Sequence, residues 1–126
     1  LWEEALEYAP DTPLIYNNLA LTYVDKGRLD AARKTLEQGL EKAPDNGIMR
    51  ANYGRVLLDL GDKQQATREL LRAIELDAGN ARAWKALGDC QDKDKAIVAY
   101  RRALELDTSY TAAREALQKR QSEDGD

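Results

Sequence analysis

A chain that repeats one unit at a fixed spacing of 34 residues can bury its apolar faces only by stacking that unit on itself. Here Pro10 falls on Pro44, Asn18 on Asn52, Gly27 on Gly61, Ala32 on Ala66 and Glu41 on Glu75. The third copy starts in register, with Leu19, Tyr53 and Leu87 in line and Gly54 on Gly88. The spacing then drops to 30, so that Ala66 matches Ala96 and Ala73 matches Ala103. Four residues are missing between Gln91 and Ala96, beside the only cysteine, Cys90.

Each unit reads as two helices. Ile15, Leu19, Thr22 and Tyr23 recur at three- and four-residue steps, which marks one helical face. Gly27 supplies a stop and Asp30 lies near the next start. Ala32, Leu36, Gly39 and Leu40 form the second stripe, which Pro44 closes. The small residues Ala20, Gly54 and Gly88 fit close helix approach, where a larger side chain would push the pair apart.

On these residues the chain resembles the tetratricopeptide repeat family, whose unit is a 34-residue helix–turn–helix. The family pattern appears as Tyr16, Leu19, Ala20, Tyr23, Gly27, Ala32, Leu36, Gly39 and Pro44. It recurs from Tyr53 and Gly54 through Gly61 to Ala66, and from Trp84 and Gly88 to Ala96 and Tyr100. Leu36, Gly39, Arg50 and Gln91 depart from it. The resemblance implies an all-α fold, a right-handed α-solenoid of stacked helical hairpins. It places a half repeat (second helix) at 1–12, repeats at 13–46 and 47–80, and a shortened repeat at 81–110. A capping helix follows at 111–121 and a disordered acidic tail at 122–126. The half repeat carries Trp2 at the aromatic position and Ala5 at the small one, closed by Pro10. The chain opens on Leu1, so the expectation is a cut or processed N-terminus and a true C-terminus.

Composition narrows function. Charged residues make up 33% of the chain and the net charge is −4, with basic and acidic residues interleaved. Nucleic acid, which selects a basic stripe, is therefore not the expected partner. No apolar run approaches the roughly 18–20 residues of a membrane span. One cysteine makes no internal disulfide, which leaves the compartment open, the cytoplasm favoured and the periplasm the alternative.

The residues offer little to catalysis. There is no histidine, and the two serines, Ser109 and Ser122, have no base in a recognisable motif. Asp89, Asp92 and Asp94 around Cys90 would raise a thiol pKa, so Cys90 reads as a small packing residue. The glycines form no phosphate loop, the tail no calcium loop, and no cofactor is implied. The expectation is a non-catalytic module that binds a protein or peptide partner.

In the family, the first helix of each unit lines the concave face. The resemblance thus places Leu14, Asn17, Asn18, Leu21 and Val24 there from the first unit. Ile48, Ala51, Asn52, Arg55 and Leu58 follow from the second, and Arg82, Lys85, Ala86 and Asp89 from the third. Asn18 and Asn52 are equivalent, and a ladder of primary amides can grip a peptide backbone. The alternative is that Asn is simply common at this position. Arg82 and Lys85, with Arg50 and Arg55 nearby, could receive an acidic segment, or they form a solvated helix face. Relatives that bind chaperone C-termini use a five-residue clamp. Asn52 and Arg82 match two of its positions, whereas Asn17, Leu21 and Ala86 depart from three. Two further readings stand: an appendage of a larger enzyme or membrane protein, and a homo-oligomer assembled through Trp2 and Leu6.

Overall fold

A computed structural model describes residues 13–123. The half repeat with Trp2 and Leu6, and the end of the acidic tail, lie outside the described residues. Within them the chain forms seven helices: α1 (Pro13–Asp25), α2 (Leu29–Lys42), α3 (Gly47–Asp59), α4 (Lys63–Leu76), α5 (Ala81–Cys90), α6 (Lys93–Leu106) and α7 (Thr111–Ser122).

Local chemistry sets the boundaries, and it repeats with the unit. Asn46 and Asn80 cap α3 and α5 by accepting from the amides of Met49 and Ala83. Asp62 and Asp92 cap α4 and α6 in the same way, from Gln65 and Lys95. At α2 the corresponding residue is Arg28, which makes no side-chain cap; Asp30 instead lies in the first turn, where an acid favours the helix dipole. The turns inside the first two hairpins need a left-handed residue, and Gly27 (φ 76°) and Gly61 (φ 93°) provide it. The amide after each glycine reaches back to the carbonyl of Tyr23 or Leu57, closing the helix end.

The shortened hairpin closes differently. The first helices α1 and α3 have 13 residues each, whereas α5 has 10. The second helices α2, α4 and α6 all have 14. The trim therefore falls on the first helix and its turn. Gln91 is extended (φ −109°, ψ 164°) and leads straight into the cap at Asp92, which no left-handed glycine precedes. Of the two candidate caps, Asp92 takes the role and Asp94 sits in the first turn. Arg120 on α7 donates from Nη2 to the Gln91 carbonyl (3.4 Å), so the last helix supports the tight turn.

Each helix packs on the next, and the first helices also touch one another, α1 with α3 and α3 with α5. The second helices make no comparable mutual contact. The first helices thus form the inner layer of a curved stack. The core is Ala-rich, with Ala32, Ala66 and Ala96 fully buried at equivalent positions. Tyr16, Leu36, Met49, Tyr53 and Leu57 fill one cluster, and Leu70, Ala73, Ala83 and Leu87 a second. Cys90 packs against both. Burial is the first cause that raises its thiol pKa, and Asp89 adds to it; Asp92 and Asp94 contribute nothing, contrary to the expectation from sequence.

Candidate functional site

The inner layer carries a continuous groove. Asn17, Leu21, Ile48, Ala51, Asn52, Arg55, Asn80 and Arg82 surround a depression of about 260 Å³. A second hollow of about 150 Å³ shares Arg55 and Arg82 and extends to Leu58, Asp59, Lys85, Ala86 and Asp89. Val24 reaches the same surface through a small cleft that also touches Leu21, Asn52 and Arg55. Three successive units thus feed one surface, because helical positions four apart lie on one face and the inner helices touch.

The structure brings Asn17, Leu21, Ile48, Asn52, Arg55 and Arg82 together, with Lys85 in the adjoining hollow. Leu14 is 63% exposed and lines neither hollow. Asn18 lines neither as well; its carbonyl accepts from Thr22 Oγ1 (2.9 Å). The partner of Asn52 is Asn17, whose Oδ1 accepts from Asn52 Nδ2 at 2.6 Å. Arg55 Nη1 donates back to Asn52 Oδ1 at 3.3 Å. These bonds order the Asn52 amide and occupy one donor and one acceptor site, leaving half its capacity for a ligand.

The charges are less uniform than the sequence suggests. Arg50 faces away from the groove: its guanidinium bonds both carboxylate oxygens of Glu69 on α4 (2.8 and 3.3 Å) and the Pro44 carbonyl (3.1 Å). An Arg at a position the family fills with a large apolar side chain is held here as a cross-link within the hairpin. Lys85 Nζ lies 2.7 Å from Asp89 Oδ2, and Asp89 Oδ1 accepts from the Tyr100 hydroxyl (2.6 Å). Burial, then this bond to an anion, pushes the Tyr100 pKa upward. The Asp107 carboxyl is held below its ordinary range first by bonds from Ser109 and, to a smaller degree, by the Arg82 charge. Arg55 and Arg82 remain the cations shared by both hollows, while Leu21, Val24 and Ile48 make the opposite end apolar.

Reasoning from sequence missed Asp59, Asn80 and Tyr110, which also line the groove. Asp59 carried a readable signal, four residues after Arg55 on the same helical face. Asn80 caps α5, and its place on the groove depends on how the helices are stacked. Among the described residues, no group of three or more Cys, Asp or Glu side chains could hold a metal ion. No described helix is long and apolar enough to cross a membrane.

Stacked hairpins with an open, ligand-accessible inner layer define a class, the helical-repeat solenoids. Within it, the sequence model of the tetratricopeptide repeat matches residues 1–47, 17–79 and 52–111, and the chain belongs to that family. Its repeats are protein–protein interaction modules. A crystal structure of MamA is similar, with 24% identity and a TM-score of 0.84 over 98% of this chain and 75% of the other. The first repeat domain of Spaghetti (RPAP3), bound to the HSP90 peptide SRMEEVD, gives 21% identity and a TM-score of 0.84 over 90% and 94%. The first such domain of human RPAP3 gives 22% and 0.84 over 90% and 93%. No curated protein matches.

Proposed function

We propose that this chain is a non-catalytic binding module that takes an extended protein segment along its inner groove. The observation that carries the reading is the convergence of three successive units on one depression lined by Asn17, Leu21, Ile48, Asn52, Arg55 and Arg82. The bound segment places apolar side chains against Leu21 and Ile48 and an acidic group toward Arg55 and Arg82. Asn52, oriented by Asn17 and Arg55, meets the peptide backbone between them.

The similar RPAP3 domain binds a peptide ending Glu-Glu-Val-Asp, so SRMEEVD is a direct first probe. Fluorescence polarisation would compare this peptide, and a panel of apolar-acidic peptides, on wild type, Asn52→Ala and Arg82→Glu. Arg82→Glu is expected to weaken an acidic binder at least ~10-fold, since a like charge replaces a favourable one. Asn52→Ala is expected to cost about 1 kcal/mol of binding. Unchanged affinity in both variants would remove the groove from the reading.

A further inference from the structure

The inner face repeats one bay between each pair of neighbouring first helices, with α7 standing as the first helix of a fourth unit, and the three bays differ in kind. Two residues of one helix and two of the next mark each bay: Leu21, Val24, Asn52 and Arg55 in the first. One repeat on, the equivalent four are Arg55, Leu58, Ala86 and Asp89. In the last, between α5 and α7, Asp89, Ala116 and Lys119 take these places, and the counterpart of Val24 falls within the four missing residues. The wall position thus passes from Leu21 to Arg55 to Asp89, and the amide of Asn52 is followed by two alanines. Of these bays only the first joins an apolar wall to a primary amide. It also has an apolar floor. Ala20, Leu36 and Val56 are buried beneath it, whereas Tyr100 and Arg120 stand for Leu36 and Val56 in the last bay.

Size and surroundings say what this first bay holds. Its volume is about 40 Å³, against about 420 Å³ in the last. At roughly 10–15 Å³ for each water it has room for about three, the space of a branched aliphatic side chain and too little for an indole. Its apolar walls give such waters few partners, so an aliphatic group that displaces them gains affinity. The adjoining depression of about 260 Å³ shares Leu21, Asn52 and Arg55 with this cleft, and its charged lining is Arg55 and Arg82 without an acid. Neither arginine makes an ion pair among the described residues. Asp59, on the rim of the cleft but not of the depression, directs an acidic group away from the first and into the second. Because the two hollows adjoin, they take successive side chains from one side of an extended segment, two residues and about 6.5 Å apart.

We infer that the cleft between α1 and α3 takes one branched aliphatic side chain of the bound segment, with an acidic residue two positions from it in the depression, and so sets the segment's register. This selectivity rests on the groove binding proposed above and goes beyond it by naming the pair of side chains that are read. The Asn52 amide stands between the two hollows, where half its hydrogen-bonding capacity is free for the backbone that joins them.

The probes are serine peptides of about seven residues carrying Leu-Ser-Glu, or the reverse Glu-Ser-Leu, at the centre. In the better binder, Leu is then replaced by Ala or Trp, or moved by one position. Two-dimensional NMR of the full chain would titrate each peptide on wild type, Val24→Phe and Arg82→Glu, with circular dichroism reporting that the variants are folded. The Leu peptide should shift the methyl signals of Val24 and Val56, and Ala or Trp in its place should weaken binding at least ~10-fold. Moving Leu by one position should weaken it as much, because the side chain then turns to the opposite face of the strand. Val24→Phe, which fills the cleft, should lower the Leu peptide to the affinity of the Ala peptide. Equal binding of the Leu and Ala peptides, Trp accepted as well as Leu, or a Leu preference that survives Val24→Phe would each overturn the inference. Weakening of every peptide by Arg82→Glu would in those cases leave the groove itself standing. If no peptide shifts a groove residue, the groove binding and this selectivity both fail. The comparison of peptides on wild type needs no variant to fold.

Discussion

The second and third hairpins are built to one plan and closed by different means. In the second, α3 ends through Gly61 and α4 starts at Asp62; in the third, α5 ends three residues sooner and Gln91 passes directly to Asp92. Yet both keep a glycine on the first helix where the second helix crosses it. A Cβ at Gly54 would stand 2.6 Å from Leu70 Cγ, and one at Gly88 would stand 2.5 Å from Tyr100 Cε1. The close crossing is thus preserved while the turn is not. What the repeat requires is the contact between its helices; the connection between them is adjustable.

The sharpest way to break that comparison is to add the missing methyl groups. Gly54→Ala and Gly88→Ala should each destabilise by about 1–3 kcal/mol, because overpacking outweighs the gain in helix propensity. Leu70 is fully buried and cannot swing aside, and moving Tyr100 stretches its bond to Asp89. Gly88→Ala combined with Tyr100→Leu copies the Ala20 and Leu36 pair of the first hairpin and should recover part of the loss. Urea unfolding of the single and double variants measures the coupling.

The turns give the next effect. Gly61→Ala should cost roughly 1–2 kcal/mol, since φ is 93° there. Gln91→Ala, at an extended φ, should stay within about 0.5 kcal/mol. Thermal melts showing equal losses would mean that the two turns are not different in kind. The caps should differ more finely. Asp62→Ala is expected to cost about 1 kcal/mol, and Asp92→Ala less, because its bond to the N3 amide is 3.4 Å against 3.0 Å.

The last effect is invisible at neutral pH. Burial, then the bond to Glu37, pushes the Tyr53 pKa up to about 12. The unfolded chain ionises this group near its ordinary value of 10, so the folded state holds the proton when the unfolded state has lost it. Its contribution is complete below pH 10 and is lost as pH rises toward 12. Urea midpoints measured from pH 7 to 12 should fall over that window, and more shallowly in Tyr53→Phe.

Much of this architecture was legible from spacing alone. The positions of Gly27, Gly61 and the alanines at 32, 66 and 96 recur because each hairpin solves the same packing problem. Cys90 as packing and Asp92 as one of two caps followed from local chemistry. The pairings that join helices were not legible. Arg50 to Glu69 and Asn17 to Asn52 span 19 and 35 residues, and each depends on how far one helix is rotated against another. Hence Arg50, read from sequence only as near the groove cations, is bound to Glu69, and it is Asn17, not the equivalent Asn18, that meets Asn52, because repeat equivalence aligns positions and does not fix contacts.

The trim in α5 has one more consequence, for direction. At 1.5 Å per residue the floor of the inner groove is about 20 Å broad along α1 and α3 and about 15 Å along α5. The groove floor thus narrows toward α5, which carries Arg82 and Lys85. Under the binding mode proposed above, a groove that narrows as it becomes basic would favour one orientation of an extended segment over its reverse.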